Sequence, residues 1–226
     1  MRNEIELRNI IESLVEVQER AFTPLREGAQ SVARLFERVQ TDGRVLADEL
    51  GALQPEIFRR LEEIPAYYGT GFVADPTALA DVRLYEEWWL RSEDGVPRRL
   101  SVNREYDYTT MAYFSGAAQG IEVIVGPYLD FTGADKFVFT LAVPVQTGDR
   151  FIGVCGADVT VPTMERILTP HLHGFVDDLV LYGEDRRVVA STSADYGPGD
   201  RIALNADEVS PASAVGAHWH LARLRH

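Results

Sequence analysis

The chain has 226 residues, a formal net charge of −13, 46% apolar residues and 25% charged ones. That length suits one large domain or a domain with a helical extension, and the composition is ordinary for a globular protein. The acid excess argues against a nucleic-acid surface, which needs clustered Lys and Arg, and it serves either solubility or attraction of cationic ligands.

The N-terminus reads MRNEIELRNIIESL, with acids where a secretory leader needs an unbroken apolar core. No run of 18 apolar residues follows, so no transmembrane helix is expected. A full-length gene product of this sequence is expected in the cytoplasm; as part of a longer product, it could have lost a flanking membrane segment. Residues 3–40 carry Leu7, Ile11, Leu14, Val15, Phe22, Leu25, Val32, Phe36 and Val39 mostly at spacings of three and four, which predicts an amphipathic helix. Thr23-Pro24 predicts a break or a kink in it, and Asp42-Gly43 its end. A shorter helix is expected over about 44–63, closed by Pro65. The domain reading is therefore a helical region over 1–63 packed on a ligand-binding domain over 64–226.

After Pro65 the pattern turns to short runs rich in aromatic and β-branched residues: Gly69–Val73, Leu84–Trp89, Leu100–Val102, Ile121–Val125, Phe137–Val145 and Phe151–Val159. Glu93-Asp94-Gly95, Thr132-Gly133 and Thr147-Gly148-Asp149 mark turns. Helices are expected near 109–118 and 161–172, then strands at Leu179–Tyr182, Val188–Ser191 and His218–Leu224. The stretch 193–217 reads as a surface loop. Strands punctuated by isolated helices give an α+β class, an antiparallel sheet flanked by a long N-terminal helix and short connecting helices.

The stretch from Tyr106 to Asp158 concentrates the candidate chemistry. Tyr106, Tyr108, Tyr113, Phe114 and Tyr128 fall within 23 residues, beside Trp88 and Trp89 on an earlier strand. Such rings either fill the space between helix and sheet or wall a ligand cup. The number of hydroxyls favours the cup, because each buried one needs a partner. Asp158 ends a near-continuous apolar strand, so it caps the following helix or faces a polar cavity. In the cavity it would accept hydrogen bonds from an ammonium or hydroxyl group.

Other signals are weak. His218 and His220 share a strand face, but no Cys or acid stands at ligand spacing, so no metal is expected. Gly69-Thr70-Gly71 lacks the third glycine and following helix of a phosphate loop. Cys155, the only cysteine, precludes an intramolecular disulfide and reads as a buried, inert thiol. Glu86-Glu87 and Asp177-Asp178 are adjacent, so on strands each pair splits between opposite faces. No nucleophile–base pair can be assembled, and no enzyme activity or cofactor is expected.

At these residues the chain resembles the Cache (PAS-like) sensor family, from roughly Phe72 to Ile202. YDYTTMAYF resembles the family's tyrosine-rich helix entry, and GPYLD its Pro-Tyr-x-Asp turn. FVFTLAVPV with FIGVCGADV resembles its strand pair ending in a ligand-contacting Asp, and DLVLYGEDRRVVAS its closing hairpin. The resemblance implies a single-Cache architecture, here a stand-alone member, with a pocket between sheet and connecting helix. Members are usually extracellular input domains of chemoreceptors, histidine kinases and cyclic-dinucleotide enzymes. Amino-acid-binding members place a carboxylate-clamping Arg where this chain has Met111, and Trp-Tyr where it has Tyr113-Phe114; Met cannot make the bidentate pair.

The expected site is therefore Trp88, Tyr106, Tyr108, Tyr113 and Tyr128 as walls, Met111 at the base and Asp158 as polar anchor. Its expected ligand is an amine or a neutral polar metabolite, unless Arg83 or Arg104 reaches in and selects a carboxylate. The expected partners are that ligand, an unknown output protein and a second copy paired through the N-terminal helix. The alternative is a dimeric interaction module with a vestigial pocket.

Overall fold

The computed structural model of the chain describes residues 2–40, 45–100, 106–131, 135–203 and 212–224. Its spine is α1, Arg2–Gln40, one element of 39 residues. Ile10, Leu14, Phe22, Leu25, Ala29, Val32 and Phe36 form a buried stripe at steps of three and four, and buried Gln18 occupies the one polar place in it. The helix runs through Pro24, where the sequence predicts a break or kink. An interior Pro costs about 3 kcal/mol, and the burial of Phe22 and Leu25 on either side offsets it. The expected end at Asp42-Gly43 lies outside the described residues. The shorter helix divides into a 3-10 segment, Ala47–Leu53, and α2, Gln54–Glu63.

The first sheet is antiparallel and six-stranded. Its strands are β1 Gly69–Ala74, β2 Glu86–Leu90, β3 Arg98–Arg99, β4 Val123–Asp130, β5 Lys136–Thr147 and β6 Arg150–Thr160, in the order β3-β2-β1-β6-β5-β4. Side chains alternate between its faces. Phe72, Phe139, Leu141, Cys155 and Ala157 join α1 and α2 in the main core. Val73, Trp88, Ala142 and Val154 face the other way, beneath α3, Ala112–Ala117, with Tyr113, Phe114 and Ala117. The helix expected near 109–118 is split by Met111 into a 3-10 turn at Tyr108–Thr110 and α3. The Pro-Tyr-x-Asp stretch is not a turn; it lies within β4, across a register shift between Val125 and Tyr128.

After α4, Val161–Leu172, the last strands do not extend this sheet. They form a second one, ordered β8-β7-β10-β9 from β7 Leu179–Gly183, β8 Val188–Ser191, β9 Ser213–Val215 and β10 Trp219–Arg223. β9 lies in the stretch read as loop; its three residues are too short for alternation to register. The α1 spine supports both sheets. Phe36 packs edge-on against Phe72 of the first, at 6.0 Å between ring centroids. Gln18 donates to the Val215 carbonyl of the second at 3.1 Å, and Ser13 meets His171 of α4 at 3.1 Å.

Glycines on β1 and β6 solve a spacing problem. A Cβ on Gly69 would sit 2.8 Å from the Trp88 indole nitrogen, and one on Gly156 would sit 3.2 Å from its ring edge. Gly69-Thr70-Gly71, a poor phosphate loop, is thus part of the floor under an indole. At Gly71 the obstacle is backbone, with the Glu87 carbonyl oxygen 2.1 Å from a Cβ. Gly71→Ala should therefore cost about 1–3 kcal/mol through overpacking, seen as a lower urea midpoint with an unchanged slope.

Candidate ligand-binding site

Between the α3-covered face of the first sheet and α3 itself lies a cavity lined by Val73, Glu86, Trp88 and Leu100. Tyr106, Tyr113, Tyr128, Asp130, Thr140 and Asp158 complete the lining. Five of the seven expected residues meet there: Trp88, Tyr106, Tyr113, Tyr128 and Asp158. Tyr108 does not reach it. Its buried hydroxyl donates to the Ala74 carbonyl at 2.7 Å and accepts from the Tyr85 amide at 2.9 Å, fastening the 3-10 turn to the sheet. Met111 packs at the edge of the same cluster without lining the cavity. Arg83 is exposed and 3.6 Å from Asp107, and Arg104 lies outside the described residues.

Asp158 is not a helix cap, since Thr160 holds that position. It sits on the central strand, paired with Gly69 of β1 and Thr140 of β5, and it is only 7% exposed. The Thr140 hydroxyl donates to its Oδ1 at 2.6 Å. Tyr128 Oη lies 2.6 Å from the same Thr140 oxygen. A hydroxyl has one proton. While Thr140 gives its own to Asp158, Tyr128 must donate to Thr140, which leaves the Tyr128 oxygen as an acceptor toward the cavity.

Two lining acids that sequence reasoning passed over, Glu86 and Asp130, complete the electrostatics. Burial pushes Asp158 up to about 7, against the lowering hydrogen bond from Thr140, and the charge of Asp130 pushes the same way as burial. Burial, with the nearby charges of Asp158 and Asp130, raises Glu86 to about 7. The tyrosines respond alike. Burial first, then neighbouring acids, holds Tyr113 and Tyr128 above the ordinary phenol range. Among the described residues no Lys, Arg or His lines the cavity. Glu86 was legible: it stands two residues before Trp88 and so shares its face. Adjacent Glu87 points the other way and is fully engaged by Tyr85, Trp89 and Arg99.

The cavity volume is about 30 Å3, room for a water or two. Anything larger must displace a wall, and Leu100, Tyr106 and Tyr128 are only half-buried. Elsewhere Cys155 is 1% exposed, its thiol pushed up by burial despite Arg60 at 3.5 Å. His218 packs on Phe22 while His220 stacks on Tyr182 and meets Glu184. Among the described residues no group of three or more His, Cys, Asp or Glu is placed to hold a metal.

A long helix behind an antiparallel sheet, with a small cup under a short helix on the other face, defines a PAS-like sensor module. The chain belongs to the family described as methyl-accepting chemotaxis protein-like, first PDC sensor domain, which its residues 53–166 match. The match spans α2, the first sheet and half of α4; the second sheet lies beyond it. Among solved structures, the fold is shared with the ligand-binding domain of the Pseudomonas aeruginosa amino acid chemoreceptor PctC in complex with GABA. Identity is 17%, coverage 99% of this chain and 97% of that one, and the TM-score 0.59. The ligand-binding domain of the Pseudomonas fluorescens chemoreceptor CtaA, in complex with L-isoleucine, is 11% identical over 98% of this chain and 89% of that one, at a TM-score of 0.64. The extracellular domain of a protein described as a histidine kinase, soHK1S-Z6, is 17% identical over 95% of each chain, at 0.55. No curated protein sequence matches the chain. No described helix is long and apolar enough to cross a membrane.

Replacing the central link tests the hydrogen-bond chain. Thr140→Val should raise the Asp158 pKa above about 7, because the bond that holds it down is gone. It should also destabilise by about 1–3 kcal/mol through the partners left unmatched. Carboxyl-detected NMR titration reads the first effect and urea unfolding the second.

Proposed function

We propose that the chain is a non-enzymatic sensor domain whose pocket takes a small amine, bound as its ammonium ion, or a neutral polar metabolite in preference to an α-amino acid. One observation carries this reading: Glu86, Asp130 and Asp158 converge on a cavity whose described lining contains no cation. A carboxylate ligand would meet like charge there, whereas an ammonium would meet three carboxyls and the acceptor oxygen of Tyr128. Met111, where amino-acid-binding relatives place an Arg, points the same way. The neighbours' ligands, GABA and L-isoleucine among them, support sensing of small nitrogenous molecules as the general role.

In this reading residues 1–63 are the helical support and 64–226 the ligand-binding part, a stand-alone domain that signals to a separate output protein, with homodimerisation through α1 as the associated assembly. A cytoplasmic placement gains no support from the comparisons, which include extracellular domains. The second reading, an interaction module with a vestigial pocket, is favoured by the cavity volume of about 30 Å3. One screen separates the two.

Thermal shifts with methylamine, ethanolamine, acetate and acetamide at pH 8 should show the amines raising Tm. Saturation at 100 times Kd adds about 2.7 kcal/mol, or roughly 5–10 °C for a chain of this size. Asp158→Asn should abolish the amine shift and leave any acetamide shift intact. If only acetate raises Tm the amine reading fails, and if nothing does the vestigial reading stands.

The raised carboxyls also set a pH dependence. An acid that is harder to ionise when folded holds its proton while the unfolded chain has released its own, so stability falls as pH rises from about 4 to about 7 and is flat above. The double variant Glu86→Gln/Asp158→Asn lacks this loss. Without ligand it should melt close to the unsubstituted protein at pH 5 and above it at pH 8, by calorimetry.

A further inference from the structure

We propose that the groove between the two sheets is a second ligand site, separate from the tyrosine pocket, and that it takes an aromatic monocarboxylate. The groove has a volume of about 610 Å3, within the roughly 300–1,000 Å3 typical of sites for small organic molecules. Pro127 of β4, Phe137 of β5 and Pro162 of α4 form one side; Pro198 and Gly199, beyond β8, form the other. Residues past 166 lie outside the family match, so half of this site does not come with that resemblance.

The walls choose the body of the ligand. Prolines present rigid C–H surfaces, and the Phe137 ring stands 58% exposed at the groove. A flat ring can stack against such walls with little ordering of the protein.

Charge chooses the headgroup. Lys136 and Arg187 are the charged residues among the described lining, and no acid lines the groove. On a chain of net charge −13, this is a local reversal of sign. Both cations are held in place. Lys136 Nζ lies 5.3 Å from the Tyr68 ring centroid. Arg187 Nη1 donates to the Gly199 carbonyl at 3.1 Å, and its Nε is 3.2 Å from Asp185. Asp185 offsets part of the guanidinium charge, so the pair suits one negative charge better than two. Remaining N–H groups on Arg187 and Lys136 can then bond a carboxylate.

Titration calorimetry on the full chain, with 2-naphthoate as probe and naphthalene-2-carboxamide as its uncharged control, tests this. One naphthoate should bind per chain, at least tenfold more tightly than the amide. Lys136→Met and Arg187→Met should each weaken it about tenfold or more, the expected loss for a hydrogen bond to a charged group. Lys136→Arg should retain binding, and Asp158→Asn should leave it unchanged, which separates this site from the tyrosine pocket. Both cations are at least partly exposed, so the variants should fold, as thermal melts would verify. The proposal is overturned if naphthoate does not bind, if the amide binds as well, or if Asp158→Asn removes binding while the cation variants keep it.

Discussion

The site is organised around a carboxylate placed where a carboxylate is costly. Asp158 lies on β6, the strand between β1 and β5, and is nearly sealed from solvent. A buried charge without partners costs several kcal/mol or is neutralised by a proton. Here one hydroxyl, from Thr140, supports it, and that hydroxyl is itself fixed by Tyr128. Two further acids, Glu86 and Asp130, face the same cavity. The group thus holds protons near neutral pH more readily than it would in water, and a cation can take their place. Ligand binding and proton release become one equilibrium.

The scaffold makes that placement possible. On one face of the first sheet, α1 and α2 bury Phe72, Phe139 and Leu141. The opposite face is then released from the main core to build the cup. Glycines at 69, 71 and 156 leave room for the Trp88 indole to lie flat beside Asp158. The same α1 stripe reaches the second sheet through Gln18 and Val215. Both sheets therefore share one rigid element, the route by which a change at the cup could reach the rest of the molecule.

Much of this was legible in the sequence, where local pattern and final environment agree. The period of the α1 stripe, the strand alternation and the turn glycines place most elements of the first sheet. Trp88, Tyr106, Tyr113, Tyr128 and Asp158 meet as the aromatic spacing suggested. Tyr108 misled because a tyrosine hydroxyl serves equally well as a backbone clasp, and only the fold decides which. Glu86 was passed over as half of an adjacent pair unable to act together, although the alternation that split the pair also set Glu86 beside Trp88. Thr140 gives no signal on an apolar strand. The separation into two sheets depends on long-range pairing of β7, β8 and β10 with a three-residue β9, which local propensity does not encode.

The central claim is that a cation displaces protons from this carboxyl cluster. Calorimetric titration of methylamine at pH 6.5, repeated in buffers of different ionisation enthalpy, measures the protons exchanged on binding. The account predicts net proton release to the buffer, reduced in Asp158→Asn and in Glu86→Gln. Binding of methylamine with no proton release, or no methylamine binding beside measurable acetate binding, would contradict it.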